Sequence, residues 1–220
     1  MQTIKVILTG STGMVGEGVL MECLANNTVA EVLMVNRKHN ADVSHPKLRE
    51  LVMPDFLHAE NFSEQLKGYD SCFYCAGKSS AGMSEKDYTI LTYDTTIHFA
   101  RVLKEQNPGL VFNFVSGSHT DSSEKGKVMW ARVKGKTENE LMRIFGKDAY
   151  NFRPGLMKPS KGQKNFRGYN KLVPTIMFRV MKLFFPQSTI QQIGQAMINT
   201  TLKGYPKQVL EVADIVQCAG

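Results

Sequence analysis

Apolar and polar positions along the chain fall into short runs of two kinds, and the two kinds alternate. Thr3-Ile4-Lys5-Val6-Ile7-Leu8-Thr9 is β-branched and apolar, the composition of a strand buried on both faces. Val19-Leu20-Met21 to Leu24-Ala25 is apolar at helical spacing and ends at Asn26-Asn27. Strand patterns recur at 31–36, 48–53, 70–75, 110–115 and 149–152, with a short one at 209–212. Helix patterns recur at 62–66, stopped by Gly68, and at 84–105, closed by Pro108-Gly109. Further helix patterns fall at 128–145, 172–185 and 189–202. Alternating strands and helices predict an α/β chain: a doubly wound parallel sheet with helices on both faces. No repeat, low-complexity tract or linker interrupts it. A single domain over 1–220 is expected, with 156–220 as a small C-terminal extension forming the substrate-side wall.

Between the first strand and the first helix stands Gly10-Ser11-Thr12-Gly13-Met14-Val15-Gly16. Each glycine has a distinct expected task. Gly10 permits the tight turn off the strand, Gly13 lets backbone approach a pyrophosphate, and Gly16 lets the helix pack against the strand. Helix N–H groups then point at the phosphates, and the dipole adds about 0.3–1 kcal/mol for an anion there. A glycine triplet alone is a weak signal, since a plain turn also uses glycine. Strand before, helix after and a second strand following make this a Rossmann-like dinucleotide site.

In such sheets ligands lie outside the carboxyl ends of the strands. Those ends read Thr9-Gly10, Asn36-Arg37-Lys38, Pro54-Asp55-Phe56, Cys75-Ala76-Gly77, Ser116-Gly117-Ser118 and Arg153-Pro154-Gly155. An NAD site usually puts an acid at the end of strand two for the ribose 2′-hydroxyl. Here Asn36 stands there, and Arg37 and Lys38 follow. A charge-assisted hydrogen bond to a 2′-phosphate is worth about 1.5–3 kcal/mol, and arginine also stacks on adenine. NADP is therefore expected over NAD. Asp55 and Phe56 are candidates for the adenine edge, and Cys75, Ala76 and Gly77 for packing beneath the ribose.

Composition changes this picture little. A hydrophobic share of 42% in 220 residues suits one α/β domain. No apolar run reaches membrane-spanning length, and the chain enters a strand at once, so no signal peptide is expected. Cys23, Cys72, Cys75 and Cys218 are read as reduced, in a cytoplasmic protein, without a metal site. Cys72 and Cys75 have redox-motif spacing, but three residues apart on a strand they face opposite sides. The formal charge of +7 has one local excess, at Lys158, Lys161, Lys164, Arg167 and Lys171. It matches no nucleic-acid module. It reads as a solvated basic loop or as attraction for an anionic substrate or a phosphorylated cofactor.

The glycine motif, Arg37, Ala76-Gly77, Ser116, Lys134 and Arg153-Pro154-Gly155 occur in an order that resembles the short-chain dehydrogenase/reductase superfamily, in its atypical, epimerase-like branch. Phe112-Asn113-Phe114-Val115-Ser116, Val133-Lys134-Gly135-Lys136 and Asn151 to Gly155 are similar to segments of the HIV Tat-interactive oxidoreductase-like group. The resemblance implies a catalytic Ser, Tyr and Lys: tyrosine exchanges the proton, lysine holds the nicotinamide ribose and lowers the tyrosine pKa, serine steadies the carbonyl oxygen. Ser116 fits the serine and Lys134 the lysine. The tyrosine position, four residues before Lys134, is Trp130.

An indole donates a hydrogen bond but does not titrate usefully. Three readings follow. Ser118, His119, Tyr93 or a water on Lys134 relays the proton. Or the acceptor is a quinone or flavin that needs little proton help. Or the chain is a non-catalytic NADP-binding sensor or regulator. A nucleotide-sugar epimerase has a similar fold but relies on the tyrosine and a larger C-terminal domain. The expectation is an NADP-dependent reductase of a small carbonyl, quinone or flavin-like acceptor. Phe166, Tyr169, Phe178, Phe184 and Phe185 offer an apolar wall, with core packing as the plainer role and the one favoured for Phe184 and Phe185. Glu138 and Glu140 read as helix surface and His98 as core or helix surface. The partner expected is a small-molecule substrate, not nucleic acid or membrane. The superfamily implies a possible homodimer.

Overall fold

Strand β1 (Ile4–Thr9) lies in the middle of the sheet, and its side chains alternate between two cores. Ile7 joins Leu33, Val35 and Cys72 on one face; Val6 and Leu8 join Val32, Met34 and Phe73 on the other. These positions are apolar without alternation because both faces are covered. The computed structural model describes residues 2–165 and 187–220. In it α1 (Met14–Ala25), β2 (Val29–Asn36) and β3 (Leu48–Val52) follow β1. A 3-10 segment (Phe56–Leu66) leads to β4 (Ser71–Tyr74), then α2 (Glu85–Thr89), a π-helical turn (Ile90–Asp94) and α3 (Thr95–Gln106). Next come β5 (Val111–Val115), α4 (Met129–Phe145), β6 (Ala149–Phe152) and β7 (Leu156–Lys158). The chain ends with β8 (Gln187–Thr189), α5 (Ile190–Lys203), β9 (Val209–Leu210) and α6 (Val212–Ala219).

The main sheet has seven strands in the order β3-β2-β1-β4-β5-β6-β9, all parallel. Strand order reverses between β1 and β4, which makes that gap the switch point where α/β sheets bind ligands. One face carries the 3-10 segment, α3 and α4 over an aromatic core of Phe99, Phe112, Phe114 and Phe145. The other carries α1, α5 and α6. Cys72 packs in the first core and Cys75 against the second, so the two thiols stand on opposite sides, as strand alternation requires. The fold is the Rossmann-like doubly wound sheet that the alternation predicts.

Three differences have physical causes. The helix expected over 62–66 begins earlier, as a 3-10 segment capped by Asp55, whose carboxylate accepts from Leu57 N at 2.9 Å. The helix expected over 84–105 is broken by a π turn, closed by the Thr95 hydroxyl donating to Ile90 O at 2.8 Å. The final strand is only Val209–Leu210, because Glu211 caps a helix there, in a reciprocal box with Asp214. The helix expected over 172–185 lies outside the described residues, as do Phe166, Tyr169, Phe178, Phe184 and Phe185.

Candidate dinucleotide and catalytic site

The three motif glycines are required for different reasons. Gly10 has φ +72°, and a Cβ on it would stand 2.6 Å from the Cys75 carbonyl and Ala76 N. A Cβ on Gly16 would stand 2.1 Å from Gly10 O. Both are demanded by the protein's own packing. Gly13 is not: the nearest atom to its Cβ position, Gly10 O, is 3.4 Å away. The space in front of Gly13 is therefore left open toward the rim. Gly13 is the N-cap of α1 and provides no side-chain cap, so the first N–H groups of the helix keep their donor capacity. Thr12 is exposed beside them, while Met14 and Val15 pack partly against the α1-face core. An open cradle before an uncapped helix N-terminus fits a diphosphate.

At the end of β2 the Ser11 hydroxyl donates to Asn36 Oδ1 at 2.8 Å, and Asn36 Nδ2 donates to Glu50 Oε1 at 2.9 Å. The backbone N–H of Asn40 reaches the same oxygen at 2.9 Å, and His39 holds the other. Burial would raise the Glu50 carboxyl, but these hydrogen bonds keep it below the usual range. Glu50 was invisible as a site residue in the sequence: it sits inside a strand, fourteen positions from the asparagine it binds. Arg37 and Lys38 are exposed, and among the described residues no carboxylate lies within salt-bridge distance of either. Burial pushes the Tyr74 hydroxyl up to about 12, the Thr96 hydrogen bond and the Arg37 charge opposing it.

At the end of β4, Ala76 N donates to Thr9 Oγ1 at 3.2 Å, and a Cβ on Gly77 would meet nothing within 4 Å. Cys75 is half-buried with its thiol pushed up by burial. Phe56 does not reach this rim. It is buried, its ring 5.0 Å from that of Phe99 in the core, which corrects its assignment to the adenine edge. Its apolar ring gains more from the core than from a solvent-facing cleft. The Asp55 carboxylate is exposed but turned back as the cap described above.

Ser116, Trp130 and Lys134 come together at the end of β5. Ser116 is buried, with its hydroxyl 3.1 Å from that of Thr120. The Lys134 ammonium donates to Val115 O at 3.3 Å and lies 5.5 Å from the centre of the Phe114 ring. Trp130, in the first turn of α4, approaches Gly117: a Cβ there would lie 3.5 Å from the indole. Both side chains thus touch the stretch that brackets Ser116. Burial lowers the Lys134 pKa to about 8, with Glu138 one turn later opposing it. Gly135 permits this seating, since a Cβ would stand 1.8 Å from Asp121 O in the loop folded back on α4.

Of the expected proton relays, the Ser118 hydroxyl donates to Pro154 O at 3.0 Å. His119 is exposed on a left-handed backbone of φ 66°. The Tyr93 ring carries the Lys136 ammonium at 4.2 Å, away from the Lys134 stripe of α4.

The Arg153 guanidinium is buried and engaged within the protein. It forks onto Glu138, Nε to Oε1 at 3.0 Å, and also contacts Glu211 at 3.2 Å and Ser122 at 2.7 Å. Its assignment as a cofactor-binding side chain is corrected; Pro154 and Gly155 remain at the rim. Glu138 is fully buried and Glu140 nearly so, the latter held by Arg101 and Arg143. Neither is helix surface. Positions 134, 138, 141 and 145 form one stripe of α4, which is the signal that places Glu138 inside. His98, half-exposed, hydrogen-bonds Glu60 at 2.8 Å.

The basic stretch is strapped beside the first turn of α1. Gln163 Nε2 donates to Met14 O at 2.6 Å, and the N–H groups of Lys164 and Asn165 donate to Glu17 at 2.8 and 2.7 Å. Lys158, Lys161 and Lys164 are exposed there; Arg167 and Lys171 lie outside the described residues.

No family model matches the chain. Over 162 residues it is 26% identical to the protein fmp52-1, mitochondrial, of Aspergillus terreus, covering 71% of this chain and 68% of that one. Over 159 residues it is 23% identical to HTATIP2 of Rattus norvegicus, covering 71% and 64%. Over that span the chain is similar to HTATIP2, and its fold is the one found in solved short-chain dehydrogenases/reductases. Its match spans about two thirds of the length of these curated relatives. The fold is shared with the Bordetella bronchiseptica enzyme WbmF in complex with NAD+, at TM-score 0.70 and 14% identity over 99% of this chain and 77% of that one. It is shared too with an oxidoreductase of the short-chain dehydrogenase/reductase family from Burkholderia thailandensis, at TM-score 0.71 and 13% identity over 100% and 94%. Among the described residues no helix is long and apolar enough to cross a membrane.

Proposed function

We propose that the protein is an NADP(H)-dependent reductase in which Trp130 replaces the proton-exchanging tyrosine. The observation that carries this reading is the meeting of Ser116, Trp130 and Lys134 at the end of β5, on the same rim as the open cradle at Gly13. WbmF is described in complex with NAD+, which supports a nicotinamide dinucleotide in this fold. When bound, it supplies a hydride. The N-terminus of α1 holds its diphosphate, Arg37 and Lys38 attract a 2′-phosphate, and Lys134 holds the nicotinamide ribose. Ser116 donates its hydroxyl to the acceptor oxygen, exchanging its contact with Thr120. The Lys134 ammonium, at a pKa of about 8, releases a proton near neutral pH, as an ordinary lysine does not.

The acceptor is a small quinone, flavin or carbonyl compound, held against a wall contributed by 156–220 of the same domain. A homodimer and a cytoplasmic site belong to this proposal; the fmp52 relatives are named as mitochondrial. A non-catalytic NADP-binding sensor is the second reading, favoured by Trp130 alone. NADPH oxidation against quinones, flavins and aldehydes separates them. Turnover that disappears in Lys134→Ala supports the reductase, whereas tight cofactor binding without turnover supports the sensor. Equal affinity for NAD+ and NADP+, unchanged in Arg37→Ala, overturns the NADP assignment.

A further inference from the structure

The strand register places Glu50 opposite Met34, so its side chain lies on the α1 face of the sheet, the face of Asn36. There it ends a chain of hydrogen bonds that starts in the glycine loop. Ser11 donates to Asn36, Asn36 to Glu50, and Asn40 N to Glu50, all at 2.8–2.9 Å. The two contacts of Asn36 fix its amide, oxygen toward Ser11 and nitrogen toward Glu50. Asn36 thus stands where a ribose-binding acid usually stands, and it holds a carboxylate one link further on. The Glu50 side chain is only 15% exposed, while Arg37 next door is free in solvent.

We propose that Glu50 is a specificity-determining residue at the adenosine end, a fixed negative charge that accepts from a ribose 2′-hydroxyl and opposes a 2′-phosphate. The proposal rests on the dinucleotide reading above. Two opposed charges then flank one ribose position: Arg37 favours the phosphorylated cofactor and Glu50 limits that preference. His39, bonded to the second carboxylate oxygen, together with Lys38, Asp42, His45 and Lys47, are the other charged or titratable groups on this loop. From β3, Arg49 turns to Glu31 instead, at 3.6 Å. The carboxyl, held below its usual range, is ionised throughout neutral pH.

Fluorescence titration of the purified protein with NAD+ and with NADP+ tests this, using Glu50→Gln, Glu50→Asp and Arg37→Ala. In Glu50→Gln the amide keeps the contacts from Asn36 and Asn40 and removes the charge. The ratio of NADP+ to NAD+ affinity is expected to rise about tenfold or more, while Glu50→Asp keeps the wild-type ratio. A ratio unchanged in Glu50→Gln, with NADP+ affinity falling in Arg37→Ala, overturns the role of Glu50 and leaves the dinucleotide reading standing. Loss of urea stability in Glu50→Gln with that same unchanged ratio makes Glu50 a loop anchor and also overturns the proposal. A wild-type protein that binds neither dinucleotide overturns both.

Discussion

Arg153 and Glu138 are locked together inside the protein, the guanidinium of one meeting both carboxylate oxygens of the other, with Glu138 wholly out of solvent. The pair ties β6 to α4, and Glu211 and Ser122 extend it to α6 and the loop after β5. Removing one member strands a buried charge, which costs about 3–5 kcal/mol. Arg153→Met is expected to lose that much in urea unfolding. The double variant Arg153→Met with Glu138→Leu is expected to recover much of it, because an apolar pair leaves no unpaired charge. A loss under about 1 kcal/mol in the single variant would mean that the pair is not buried as described.

Gly10 and Gly13 separate folding from binding. Alanine at Gly10 meets the Cys75–Ala76 backbone just past β4 at 2.6 Å on a left-handed residue, and neither backbone can yield cheaply. Gly10→Ala is expected to cost several kcal/mol, on the order of the 1–3 kcal/mol of a strained residue plus the clash. Gly13→Ala meets its nearest neighbour at 3.4 Å on an extended residue of φ −95°, so its stability changes by less than about 1 kcal/mol. Its new methyl occupies the proposed diphosphate cradle, and NADP+ affinity is expected to fall at least tenfold, read by fluorescence titration.

The difference between those glycines also shows what the sequence can convey. Local rules sufficed for β1, the glycine turn and α1, where propensity, spacing and burial agree. A resemblance in the order of motifs, not a local rule, put Ser116 after β5 and Lys134 in the following helix, whose ammonium reaches Val115 O at that strand end. Local rules failed where a residue's role depends on a partner distant along the chain. Arg153 reads as a rim cation until Glu138 and Glu211 are brought beside it by α4 and α6. Glu50 reads as an ordinary strand residue until β2 carries Asn36 alongside. Phe56 follows a strand end like a ligand residue, yet Phe99 draws it inward. The helix Val212–Ala219 was hidden because its apolar start also suits a strand; only the cap at Glu211 decides.

Lys134 gives a pH signature independent of turnover. Burial lowers its pKa from 10.5 to about 8, so between those values the unfolded chain keeps a proton that the folded chain has released. Stability due to this residue therefore rises with pH across that window and is level outside it. Cysteine and tyrosine groups titrate in the same range, so the comparison must be with Lys134→Met. The difference in urea stability, wild type minus variant, is expected to grow as pH rises through the window. A flat difference would mean that the ammonium is solvated.

Trp130 is the position where one substitution discriminates most. It stands one turn before Lys134 on α4 and against Gly117, the residue after Ser116. A phenol placed there has Ser116 on one side and the cation of Lys134 on the other, and that cation favours its ionised form. Trp130→Tyr is therefore expected to add general acid catalysis, worth about 10²–10⁴-fold, to reduction of aldehydes and ketones. Quinone or flavin reduction, which needs less proton help, is expected to change little. Ser116→Ala in the Trp130→Tyr background should remove the gain, since the hydroxyl steadies the carbonyl. NADPH oxidation measured for both acceptor classes checks this. Equal gains for both classes would point to a better-shaped pocket rather than to proton transfer, and no gain for carbonyl compounds would place the reacting atoms away from the end of β5.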